Sequence, residues 1–281
     1  MSLLLGRAIR VARVRPRHLQ PLMALRRPLS SGNSPDLVDD HEDAVSMTDA
    51  LHHLALKQLE GRGESIAEGK ATLREVIEAR RELQGNRHPD TLVAVGRYIT
   101  VLQREGKYAE AEPLCREVEA TSRELLGGMH ETTLTAANNL VSNALAQRRQ
   151  CEVEDLAEET VAACRSGYGE RHALTLVALG NYAACLLSRG AIAEAEPFVV
   201  GELQASREIR GPDHAETLMS LDTLIDCLAT QRKWAEAETA AQEAVDLCTR
   251  KLGAQHARTF MATSRLASIQ GVQGKFVVFP M

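Results

Sequence analysis

The chain reads as blocks of about sixteen to twenty residues rich in Leu, Val, Ile and Ala, interleaved with charged residues. Short breaks holding Gly, His and Pro separate the blocks, and the breaks are periodic. Gly85, Gly127, Gly169, Gly211 and Gly253 stand 42 residues apart. So do His88, His130, His172, His214 and His256, and so do Thr91, Thr133, Thr175, Thr217 and Thr259. Each Thr is followed by Leu92, Leu134, Leu176, Leu218 or Phe260. This is the signature of stacked units, each of which buries its apolar face only against its neighbours.

Each unit predicts two helices. Helix A begins near the His and runs about sixteen residues, as in the stretch 88–105. Pro89 suits the first helical position, where its missing N–H costs no intrahelical bond. Asp90 places negative charge near the positive end of the helix dipole. A short break follows, with Gly106, Gly190 and Gly274 in three units and Arg148 and Arg232 in two. Helix B opens as GKYAEAE (106–112), GAIAEAE (190–196) and RKWAEAE (232–238) and runs to the next Gly. Small Ala111, Ala195 and Ala237 let it approach helix A, while Tyr108, Ile192 and Trp234 supply bulk at the turn. The terminating Gly accepts a positive φ. The array therefore reads as a degenerate unit 46–85, full units at about 86–127, 128–169, 170–211 and 212–253, and a truncated unit 254–275. An apolar tail, 276–281, follows, and an acidic linker, 36–45, precedes the array.

The string Gly-x-x-His-x-x-Thr-Leu, with Asn139-Leu140 or Asn181-Tyr182 and then Gly-Lys-Tyr-x-Glu-Ala-Glu-Pro-Leu, resembles the 42-residue tetratricopeptide repeat of the kinesin light chain family. The resemblance covers roughly residues 65–275. It implies an all-α, right-handed superhelical solenoid of antiparallel hairpins, with a concave groove lined mainly by helix A. In that family the groove takes extended or helical peptides. The heptad-rich coiled coil that would bind kinesin heavy chain is absent from this sequence.

Composition sharpens the picture. Aromatic residues make up 3% of the chain, so the core rests on aliphatic side chains in closely packed helices. Residues 1–35 hold seven Arg (7, 10, 13, 15, 17, 26 and 27) and no acid. The remainder carries 26 basic against 38 acidic residues, a balance of −12. An acidic body argues against a nucleic-acid platform. The Arg-rich segment, broken by Pro16, Pro21 and Pro28 and ending in Ser30-Ser31, has the composition of a mitochondrial transit peptide. A plastid address, or a basic tail on a cytoplasmic protein, remains open. No run approaches the ~20 apolar residues needed to span a bilayer.

Six Cys (115, 151, 164, 185, 227 and 248) form no CxxC pair, and their spacings follow the repeat. They read as small buried hydrophobes rather than zinc ligands. The five His read as caps or inter-repeat contacts at the start of helix A, because equivalent positions on packed helices ~8–10 Å apart cannot share one ion. No phosphate loop, dinucleotide fingerprint, nucleophile elbow or metalloprotease motif is present, so neither catalysis nor a cofactor or metal is expected. The Glu pairs of the EAE strings read as solvated helix-start charges rather than a general acid and base.

The groove lining follows from the register. Two residues after each Thr stand Val93, Thr135, Val177, Met219 and Met261; five after, Gly96, Asn138, Gly180, Asp222 and Ser264; nine after, Thr100, Ser142, Ala184, Asp226 and Ser268. Arg97 and Arg104 are the nearby cations of the first full unit. Asn139 and Asn181 stand either as donors to a ligand or as bonds within the stack. The surface is small and mildly polar, becoming acidic toward the C-terminal half. It predicts a protein or peptide ligand with apolar anchors and a basic residue near Asp222 and Asp226. The expected role is a non-catalytic interaction scaffold; a kinesin light chain-like cargo adaptor, or a fragment of a larger signalling protein, is the alternative.

Overall fold

The computed structural model describes residues 36–61 and 64–274, and eleven α-helices form within them. These are α1 (Asp36–Leu59), α2 (Glu64–Leu83), α3 (Pro89–Arg104), α4 (Tyr108–Leu126), α5 (Glu131–Ala146), α6 (Glu154–Tyr168), α7 (Ala173–Arg189), α8 (Ile192–Arg210), α9 (Ala215–Thr230), α10 (Trp234–Leu252) and α11 (Ala257–Val272). A 3-10 turn, Gln150–Glu152, precedes α6. No strand occurs among the described residues. The Arg-rich segment 1–35 and the tail 276–281 lie outside them. The chain divides into two compact units at Tyr98/Ile99, within α3.

The repeated motif closes each B-to-A turn in one way. His130, His172, His214 and His256 are N-caps, each accepting through Nδ1 the backbone N–H two residues on, at 3.1–3.3 Å. His88 does the same for Asp90 at 3.3 Å. An imidazole that accepts at Nδ1 carries its proton on Nε2, so the ring answers one of the four orphan donors at a helix start. The Thr hydroxyl then donates back to the Gly carbonyl, at 3.0 Å from Thr91, 2.7 Å from Thr175 and 2.8 Å from Thr259. Thr133 and Thr217 are buried at the same position, though their hydroxyls have no partner among the described residues.

Two kinds of positive φ appear. Gly127, Gly169, Gly211 and Gly253 pair φ of 80–94° with ψ of 157–170°, a region open essentially to glycine alone. The A-to-B turn instead uses the left-handed helical region, as at Gly190 with φ 83° and ψ 10°. Other residues enter that region at modest cost, and Arg148 (φ 59°) and Arg232 (φ 60°) occupy this turn in the two units without a glycine.

In the second unit α6, α8 and α10 each pack against their own A helix and the next, as α8 does against α7 and α9. Leu218, Leu221, Ile225 and Leu228 of α9 meet Ala237, Ala241, Ala244 and Leu247 of α10, with Ala262, Leu266 and Ile269 of α11 on the far side. Burial of each Leu or Ile contributes roughly 1.5–3 kcal/mol. Ala111, Ala195 and Ala237 are fully buried. Val153 fills the equivalent place in the remaining unit, and there the regular helix starts only at Glu154, after the 3-10 turn.

Five of the six Cys are buried, as the repeat register implies, but Cys151 is exposed in that altered turn. Burial pushes the Cys115 thiol up to about 12 and those of Cys164 and Cys185 to about 11.

The first unit differs from the sequence expectation. Residues 36–45 are not a linker but the opening turns of α1. No Gly or Pro interrupts 36–59, and acidic residues at a helix start are favoured by its dipole. Gly69 stands where Ala111 stands a repeat later, and a Cβ there would lie 2.9 Å from the Ala55 carbonyl oxygen. Arg80 occupies the register position of buried Ser122, Cys164, Ser206 and Cys248, and Asp49 that of the Thr. The Arg80 guanidinium is buried, 2.6 Å from Asp49 Oδ1, and donates to the Asp90 carbonyl at 2.8 Å. The degenerate unit thus carries an ion pair between α1 and α2 at these two positions. Buried His52 lies beside it, its Nδ1 unpartnered among the described residues; burial, then the charge of Arg80, lower its pKa to about 4.

Candidate functional site

The register places the expected groove residues on one face of the A helices. In the second unit Thr135, Val177, Met219 and Met261 are all exposed. Met219 and Met261 are 60% and 69% exposed, which is unusual for thioether side chains in a packed array. The next position separates the units further. Leu134, Leu176 and Leu218 are 2–3% exposed, yet Phe260 is 72% exposed. Val93 and Arg97 are exposed in the first unit, and Arg104 is exposed in the second. Gly96, Thr100 and Gly180 are half-buried.

Asn138 and Asn181 bond each other within the stack. Asn181 Nδ2 donates to the backbone carbonyl and side-chain Oδ1 of Asn138 at 3.3 and 3.2 Å, and its Oδ1 accepts from Ser142 at 3.2 Å. Asn138 is buried and Asn139 half-buried, with the Asn139 carbonyl taking a bond from Gln103 Nε2 at 2.8 Å. Asn181 therefore ties α7 to α5, and of the two roles open to it in the sequence the observed bonds are those within the stack.

Between α9 and α11 lies a pocket of about 700 Å³. Its walls include Met219, Phe260 and Met261, with Cys248 at its back and Asp222, Arg258 and Arg265 at its polar edge. Asp222 does not stand ready for a basic ligand. Arg265 reaches its Oδ1 at 2.7 Å and Arg258 its Oδ2 at 3.3 Å, while Arg265 also contacts Asp226 at 3.2 Å. Burial raises the pKa of Asp226 against the opposing charge of Arg265. The acidic character expected of this surface is thus offset by two cations of the next helix. Arg258 stands one before Thr259, a position not assigned to the groove, whereas Arg265 stands six after it and shares the register of Arg97, Asn139 and Asn181, from which it was legible.

A second constellation was misread in the sequence. The first Glu of each EAE string, such as Glu194, is exposed, but the second is not a solvated charge. Glu112 accepts from Asn143, Gln147 and Arg149 of the following unit at 2.9–3.2 Å. Glu154 pairs with Arg189 at 2.8 Å, Glu196 with Lys233 at 2.6 Å, and Glu238 accepts from Gln270 and Gln273 at 3.0 and 3.1 Å. These residues stand 42 apart and clamp one unit to the A-to-B turn of the next. Burial alone would raise the Glu112 pKa, but hydrogen bonds from Arg149, Asn143 and Arg116 outweigh it and lower the value. For Glu196 the hydrogen bond from Lys233 dominates, with the same result.

Neighbouring B helices are also bridged, by Arg123–Glu159 at 2.6 Å and Arg207–Glu243 at 2.8 Å. Gly201 interrupts this ladder, and Arg165 there lies over the Phe198 ring instead, 5.5 Å from its centroid. Among the described residues no cluster of three or more His, Cys, Asp or Glu could hold a metal, and no helix is long and apolar enough to cross a membrane.

A sequence profile for the tetratricopeptide repeat matches residues 226–258. No curated protein matches the sequence. Among solved structures, nearly identical TPR-like repeats from Podosopora anserina, provisionally described as a kinesin light chain, share 20% identity. That match covers 74% of this chain and 97% of the other, with a TM-score of 0.59. A variant of the same repeats aligns at 19% identity over 73% and 96%, with a TM-score of 0.60. BtubC (BKLC) from P. vanneervenii aligns at 16% identity over 74% of this chain and 84% of that one, with a TM-score of 0.61. One tetratricopeptide repeat is thus matched in sequence at 226–258, and the fold is that of these TPR-like repeat structures.

Proposed function

We propose that the chain is a non-catalytic scaffold that takes a peptide or helix of a partner protein in the groove of its A helices, with the α9–α11 pocket as the anchoring point. The observation that carries this reading is the exposure of Met219, Phe260 and Met261 around one concavity. Contiguous apolar surface of this kind, rimmed by polar residues, marks interaction sites. A photo-crosslinking residue placed at 219 or 261 is expected to capture a partner. The same residue at exposed Thr239 of α10, outside the α9–α11 pocket, is expected to capture none. Equal capture from the two surfaces would remove the groove from consideration. The Arg-rich segment 1–35 supports a further part of the reading, import into mitochondria. Residues 1–40 fused to a fluorescent protein should then label mitochondria, and a diffuse cytosolic signal would exclude it.

A further inference from the structure

Resting on that groove reading, we infer that the α9–α11 pocket selects a partner segment that is apolar and carries no net charge at its anchor. The argument is one of charge complementarity. The ion-pair cluster at the pocket is internally neutral: Asp222, Arg258 and Arg265 line the pocket, and Asp226, outside its lining, pairs with Arg265. Asp222 is held from two sides, and Arg265 spans both carboxylates. A basic ligand residue would have to displace a guanidinium that already holds its carboxylate at 2.7 Å. An acidic residue would have to displace Asp222 from the same guanidinium. Either exchange trades one ion pair for another and adds the desolvation of an incoming charge. An uncharged apolar side chain has no such competitor. It meets Met219, Met261 and Phe260, of which the two thioethers are flexible and polarizable enough to repack around anchors of different shape. The pocket is large enough for more than one bulky side chain. The carboxylates and guanidinia then set a polar rim that fixes the segment's position without consuming its charge.

The test uses the full chain and three synthetic twelve-residue peptides sharing one Leu-x-x-Phe anchor. Their flanks are uncharged (Ser and Gln), acidic (Asp and Glu) or basic (Lys and Arg). The uncharged peptide should bind at least about tenfold more tightly than either charged one. Its affinity should change less than about twofold between low and high salt, since screening acts on charges. Met219→Ser with Met261→Ser should abolish that binding while circular dichroism shows the array still folded. Asp222→Asn leaves Arg258 without a carboxylate among the described residues, so it should shift preference toward the acidic peptide and make binding salt-dependent. Tightest binding of a charged peptide to the unaltered chain, or an unchanged order in Asp222→Asn, overturns this inference and leaves the groove reading standing. Failure of all three peptides to bind overturns both.

Discussion

The two kinds of glycine turn make a quantitative prediction. Gly127 and Gly190 both have positive φ, both lie at the end of a helix, and at neither would an added Cβ meet another atom within 4 Å. Any cost of Gly→Ala is therefore a backbone cost. At Gly190, φ 83° and ψ 10°, alanine enters the left-handed helical region at about 1–2 kcal/mol, partly offset by lost unfolded-state freedom, for a net of about 1 kcal/mol. At Gly127, φ 84° and ψ 163°, the region is essentially closed to side chains, and the loss should approach about 3 kcal/mol. For a unit of this size each kcal/mol moves Tm by about 2–4 °C. Gly127→Ala should thus lower Tm by about 6–12 °C and Gly190→Ala by about 2–4 °C, read by circular dichroism during heating and confirmed by urea unfolding. The chain carries its own version of the experiment, since Arg148 and Arg232 stand where Gly190 stands and none of the five motif glycines is replaced. Equal losses at the two sites, or a loss at Gly127 below about 1 kcal/mol, would refute the reasoning.

Three more predictions follow from the same geometry. His172→Ala should cost about 1 kcal/mol through its lost cap, whereas His172→Asn should retain most of the stability in the same melt. Glu196 has a pKa lowered from 4.5, so its contribution is complete above that value and lost as pH falls through the lower folded-state value. Tm measured from pH 6 to pH 3 should therefore fall more steeply for the unaltered chain than for Glu196→Gln, and parallel curves would exclude the clamp. His52, lowered from 6.5 to about 4, obeys the same rule with a proton taken up earlier by the unfolded chain. Its contribution is lost as pH falls from 6.5 toward 4 and levels off below; NMR titration should find its imidazole neutral at pH 5, and His52→Gln should flatten that part of the profile.

Much of this protein is present in one dimension. Periodicity alone placed the hairpins, because a glycine that must adopt φ near +85° and an imidazole that must cap a helix start recur wherever the turn recurs. The same register located the exposed positions of Val177, Met219 and Met261 and the burial of five Cys. It could not show which residues of different units meet. Asp222 looked available until Arg258 and Arg265 closed on it, 36 and 43 residues later in the chain. The second Glu of EAE looked solvated until the next unit's turn supplied its donors. Cys151 is exposed, as are Ala109, Ala193 and Ala235 at the same register position, and 36–45 became helix where a linker was expected. A repeat fixes the environment of equivalent positions through local backbone geometry. Charge pairing depends on two different side chains in adjacent units, and only the tertiary packing of those units brings them within reach.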